Sequence, residues 1–167
     1  MKKIYILLTR LPNPSSKWIG LLTNSYYSHT SIGLEEDKDV FYSFVHKGFR
    51  VERLSWYQKN LDVACQIYEM NVSEKTYEWI KSIIQYFLYR KEQFQYNAMG
   101  AVMCLLHIPY HRRRNYYFCS QFVAEVLKEA KVLRLKKKTT CYRPSDFASM
   151  KEFRLVYHGR ISKIDRA

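Results

Sequence analysis

Acidic side chains, glycine, proline and paired cysteines are all scarce in this chain of 167 residues. Five glycines and four prolines exclude a collagen-like repeat and a Pro/Gly-rich disordered tract. The cysteines Cys65, Cys104, Cys119 and Cys141 form no CxxC pair, and no Cys/His cluster has zinc spacing, so neither a metal nor another cofactor is expected. A chain of this length builds its own core without a disulfide framework, which makes free thiols in a reducing compartment the simpler expectation. No apolar run approaches the ~20 residues of a membrane span. The Met1 to Arg10 stretch has the basic end and apolar middle of a signal peptide, but Arg10 cuts it short and no small-residue cleavage site follows. It reads as a first strand of a cytoplasmic protein.

Acidic residues number 15 against 28 lysines and arginines, a formal net charge of +13. That balance implies attraction to anionic partners without choosing among nucleic acid, lipid and acidic polymers. Apolar residues make up 47% of the chain, with 15 tyrosines and 9 phenylalanines among them. The expectation is a single domain over residues 1–167.

Ile4 to Thr9 reads as a strand closed by Pro12-Asn13-Pro14, and Ser15 or Ser16 is placed to cap a short helix through Trp18, Ile19, Leu21 and Leu22. Two β-rich runs, Tyr26 to Leu34 and Val40 to His46, flank the polar turn Glu35 to Asp39 as a hairpin. Further strands are expected at Phe49 to Leu54 and Val63 to Met70, with Trp56 to Asn60 as a connection. A long helix capped by Asn71 or Ser73 carries the stripe Tyr77, Ile80, Ile83, Ile84, Phe87 and Leu88. A second, apolar helix from Tyr96 to His107 is expected in the core. The basic loop His111 to Asn115 follows, then a helix beginning near Cys119, then Lys136-Lys137-Lys138, a short turn at Pro144 and a last strand at Phe153 to His158. Strands first, helices after and a strand at the end give an α+β fold, an antiparallel sheet packed against helices.

Candidate chemistry centres on Tyr116 to Leu127. Phe122, Val123, Val126 and Leu127 share one face of a helix, and Gln121, Glu125, Lys128 and Glu129 the other. Cys119 sits at its first turn, where unpaired backbone N–H groups and the helix dipole favour a thiolate and could hold an oxyanion. A thiol nucleophile needs a base within reach. Of the five histidines, His29 begins a strand on which Ser31 and Gly33 share its face, leaving space above the imidazole. His107 and His111 border the basic loop, His158 sits near the C-terminus, and His46 lies too far along its strand.

Tyr27-Ser28-His29-Thr30-Ser31-Ile32-Gly33-Leu34, followed much later by Tyr117-Phe118-Cys119-Ser120-Gln121-Phe122-Val123, resembles the permuted papain-like hydrolases, the YiiX-like relatives of NlpC-type cell-wall peptidases. The late Pro144-Ser145-Asp146-Phe147 comes in the expected order, so the resemblance spans most of the chain. It implies a cysteine hydrolase, an amidase, peptidase or acyltransferase, acting on an amide, ester or thioester bond of a peptide, lipid or other acyl substrate. Cys119 would be the nucleophile and His29 the general base. The family's orienting group lies on the next strand; a three-residue turn centred on Glu36 would put Ser43 there, whereas other registers bring up Tyr42 or Phe44, and the family's usual His, Glu or Asn is missing. The other cysteines are expected unpaired and away from this cleft, and Arg112-Arg113-Arg114 is expected to fringe it. The alternatives are an inactive papain-like binding domain and a nucleic-acid-binding module, in which the basic runs contact phosphates and the tyrosines stack on bases.

Overall fold

The structure is a computed structural model that describes residues 1–11, 26–111 and 113–164. The short helix expected through Trp18 to Leu22 lies outside the described residues, as does Arg112. Strands β1 (Lys2–Thr9), β2 (His29–Leu34), β3 (Val40–Val45), β4 (Gly48–Arg53), β5 (Ala64–Val72) and β8 (Arg154–Arg160) form one antiparallel sheet in the order β4-β3-β2-β1-β5-β8. Helices α1 (Leu54–Asn60), α2 (Glu74–Tyr89), α3 (Ala98–Leu105), α4 (Cys119–Glu129) and α5 (Pro144–Ala148) complete the α+β architecture.

Alternation along β1 sorts the core into two layers. Ile4, Ile6 and Leu8 join Ile32, Phe44, Phe49 and the stripes of α2 and α4 in the larger cluster. Leu7 joins Phe41, Cys65, Ile67 and, from α1, Leu54 and Tyr57 in a smaller cluster. Residues 56–60, expected as a connection, and Leu54, expected to end a strand, are thus helical because Leu54 and Tyr57, one turn apart, have an apolar patch to cover. Much of the aromatic content lies in the larger cluster. Phe44, fully buried, has ring centroids of Phe49, Phe87, Tyr117 and Phe122 within 5.2 to 5.9 Å, the spacing of favourable aromatic pairs. Gly33 is required by close approach: a Cβ there would stand 2.8 Å from the Phe41 ring.

Ser73 caps α2, its side chain accepting from the Thr76 N–H. Helix α3 is shorter than expected and half exposed, with Met99 and Val102 facing solvent and only Gly100 and Cys104 buried. Asn97 starts it, accepting from the Gly100 N–H at 2.9 Å. Helix α4 departs from its sequence pattern in the other direction. The first half of its expected polar face is covered too, Gln121 and Glu125 being buried and Glu125 accepting from the Thr139 hydroxyl of the turn Thr139–Cys141 at 2.6 Å, while Lys128 and Glu129 stay exposed.

Candidate functional site

Two short strands aim the site. β6 (Gln95–Tyr96) pairs in parallel with β7 (Tyr116–Tyr117), Tyr96 opposite Tyr117. Tyr96 is thereby brought within two residues' register of Cys119, which β7 delivers to the start of α4. The N-cap, Phe118, has no side chain able to cap, and the first backbone bond of the helix runs from the Phe122 N–H to the Phe118 carbonyl. The N–H groups of Cys119, Ser120 and Gln121 precede that bond and point out of the helix end. They meet the sulfur in the positive end of the helix dipole.

His29 is buried, and Cys119 lies near enough to act on its imidazole. On its other side Nε2 stands 2.8 Å from Glu52 Oε1. Because a carboxylate only accepts, Nε2 carries the proton and Nδ1 is left to face the sulfur. Burial alone would pull the imidazole's pKa down. The Glu52 charge, with hydrogen bonds to Cys119 and Glu52, outweighs it and lifts the value from 6.5 to about 10. The second carboxylate oxygen of Glu52 is buried with no well-aligned partner. The Tyr57 hydroxyl of α1 lies next to this carboxylate, and its pKa is pushed up, by burial first and the Glu52 charge second.

Ser43, the residue expected to orient His29, does not reach it. The β2–β3 connection is a five-residue loop, 35–39, and the register sets Ile32 opposite Tyr42 and Gly33 opposite Phe41. By alternation Ser43 then stands beside Ser31, and its hydroxyl donates to the Thr30 carbonyl at 2.6 Å. Glu52 comes instead from β4, opposite Phe41, on the side of the sheet that α1 covers. Ser31 and Ser43 leave the room through which the two longer side chains meet.

Next to Cys119 is a largely apolar cavity of about 40 Å³, lined among others by Tyr27, Tyr96, Leu105, Phe118 and Pro144, with Arg143 as its charged residue. Tyr96 is pushed toward its protonated form, by burial first and by Cys119 second. Cys104 lines this cavity too, against the expectation that the other cysteines lie elsewhere. It is unpaired, donates to the Tyr142 carbonyl at 3.4 Å, and burial pushes its thiol up to about 12. Cys65, also free, is likewise raised to about 12 by burial. The described arginines of the basic loop do not line the cavity: Arg113 stacks on the Tyr116 ring at 3.9 Å and Arg114 is exposed. Lys136, Lys137 and Lys138 line a separate open groove of about 810 Å³ together with His111, Lys128 and Arg134. Sequence reasoning missed Glu52, Tyr96 and Arg143. Glu52 could have been noticed as the one carboxylate of β4.

No protein-family model matches the chain, and no curated protein does. Among solved structures, the fold is similar to that of metalloprotein yiiX from Escherichia coli O157:H7, with a TM-score of 0.63 at 13% identity over 92% of this chain and 95% of that one. At such identity the likeness concerns the fold alone. Among the described residues, no helix is long and apolar enough to cross a membrane.

Proposed function

We propose that the chain is a permuted papain-like thiol hydrolase or acyltransferase in which Glu52, His29 and Cys119 act in sequence. The observation that carries this is the buried imidazole held between a carboxylate and a thiol, with that thiol at an uncapped helix N-terminus beside a cavity. A protonated His29 favours the thiolate. The sulfur attacks the carbonyl carbon of an amide, ester or thioester, a C–S bond forms, and the carbonyl electron pair moves onto oxygen. The N–H groups of α4 and the neutral Tyr96 hydroxyl stabilise that oxyanion. When it collapses, the bond to nitrogen, oxygen or sulfur breaks and His29 gives its proton to the leaving group. Water or a second acceptor then attacks the acyl carbon and gives a proton to His29; the C–S bond breaks, releasing the acid or the acylated acceptor and freeing the Cys119 sulfur. Glu52 touches no reacting atom; it holds the imidazole tautomer and stabilises imidazolium.

That yiiX is a metalloprotein suggests looking for a metal here. Among the described residues no group of three or more His, Cys, Asp or Glu is placed to hold one, so no step is routed through a metal.

The test is labelling by a thiol-directed acyl probe such as an activated ester, read by peptide mass spectrometry. Acylation should fall on Cys119, vanish in Cys119→Ser and drop steeply in His29→Ala. A folded wild-type protein whose Cys119 stays unlabelled sinks the proposal. One observation favours a second function, polyanion binding: the basic groove of Lys128, Arg134 and Lys136 to Lys138. Against it, Lys137 is already paired with Asp146 at 2.6 Å, and the aromatic cluster that might have stacked on bases is in the core.

A further inference from the structure

Arg143 is the charged side chain at the cavity beside Cys119, and among the described residues its one ion-pair partner is Asp146, at 3.9 Å. Its residue lies one position before Pro144, at the N-cap of α5, and its side chain is only 23% exposed. The Nε–H is buried with no acceptor. Asp146, the carboxylate nearest in sequence, meets it only as a long ion pair. Asp146 Oδ2 accepts from the Arg143 backbone N–H at 2.6 Å and from Lys137 Nζ at 2.6 Å. Oδ1 stays 3.9 Å from the guanidinium, too far for a hydrogen bond. Asp146 therefore fixes the Arg143 backbone while its charge is shared with Lys137. A guanidinium presents five donors in a rigid fork, and leaving the buried Nε–H unmade is costly. A ligand with paired oxygens supplies what the protein withholds.

We propose that Arg143 is a specificity-determining residue that binds a carboxylate carried by the substrate close to its scissile carbonyl. This rests on the thiol-hydrolase function proposed above and names its substrate class: a small acyl compound or peptide end with a free carboxylate. The lining favours a carboxylate over a phosphate: apart from Arg143 it is mostly apolar, suited to the carbon skeleton between carbonyl and carboxylate. Both Cys119 and Arg143 line that one space, so a single small molecule can meet both.

A matched pair of alkylating agents tests this without a known substrate. Iodoacetate and iodoacetamide differ in little but charge, and both report on Cys119 by peptide mass spectrometry, which separates it from Cys104. The iodoacetate-to-iodoacetamide rate ratio at Cys119 should fall about tenfold in Arg143→Met, the loss of one charge-assisted hydrogen bond. Arg143→Lys should keep part of it. The general attraction of a basic protein for iodoacetate is common to all three proteins and cancels. Succinate should protect wild-type Cys119 from iodoacetamide, and should not protect Arg143→Met. An unchanged ratio in Arg143→Met overturns the inference while leaving the thiol chemistry standing. A wild-type Cys119 inert to both reagents would instead remove the hydrolase function itself. Protection by inorganic phosphate but not by succinate overturns the carboxylate assignment.

Discussion

Glu52 Oε1 stands 2.8 Å from His29 Nε2 although 23 residues and an intervening strand separate the two. Both side chains are almost wholly buried, so removing one member leaves the other without its partner where water cannot replace it. Glu52→Gln keeps the shape and a possible hydrogen bond but loses the charge that supports imidazolium. Acylation of Cys119 by an activated ester should slow about 10²-fold or more in this variant, as expected for a general acid–base group deprived of its orienting carboxylate. Rates within a factor of two of wild type would show that Glu52 has no part in the chemistry.

The same pair sets a pH dependence of stability. The folded pKa of His29 is raised above its ordinary 6.5 to about 10, so the native state holds this proton more tightly than the unfolded chain. The stabilisation is fully present below the unfolded value and is lost as pH rises through the folded one. Cys65 and Cys104, both raised by burial, act in the same sense only where an unfolded thiol begins to ionise, above roughly pH 8. Urea midpoints should therefore fall between roughly pH 6.5 and 8 in the wild type, and that decline should flatten in Glu52→Gln. Identical slopes in both proteins would contradict the pairing.

Ser43 separates what the sequence could reveal from what it could not. The existence of the main strands, the amphipathic helix at Cys119 and the strand position of His29 follow from alternation and periodicity, which are local. The orienting group depended on turn length. Five loop residues instead of three shift the β2–β3 register by two, which keeps Ser43 on the same side of the sheet but moves it away from His29. Glu52 comes from one strand further, through a side-chain approach that no spacing rule encodes. Arg143 and Tyr96 were illegible for the same reason, their place at the cavity being set by a capped turn and a two-residue parallel ladder.

Ser43→Ala should accordingly behave as a structural variant. It removes one buried hydrogen bond to the Thr30 carbonyl, at a cost of about 0.5–1.5 kcal/mol in urea unfolding. Cys119 acylation should stay at the wild-type rate. A large loss of acylation in a protein of nearly unchanged stability would restore Ser43 to the site.

Tyr96 offers a way to distinguish attack from oxyanion stabilisation. It lines the cavity with Cys119, is held protonated by burial first and by its place beside Cys119 second, and is positioned by pairing with Tyr117. Alkylation by iodoacetamide displaces iodide at a saturated carbon and builds no oxyanion, whereas acylation by an ester passes through one. Tyr96→Phe keeps the ring and deletes only the donor. It should leave the alkylation rate of Cys119 close to wild type and lower its acylation rate by about 10- to 100-fold, toward the effect of losing one oxyanion donor. If both rates fall together, the hydroxyl acts on the sulfur rather than on the oxyanion. If neither falls, the N–H groups at the start of α4 carry the oxyanion alone.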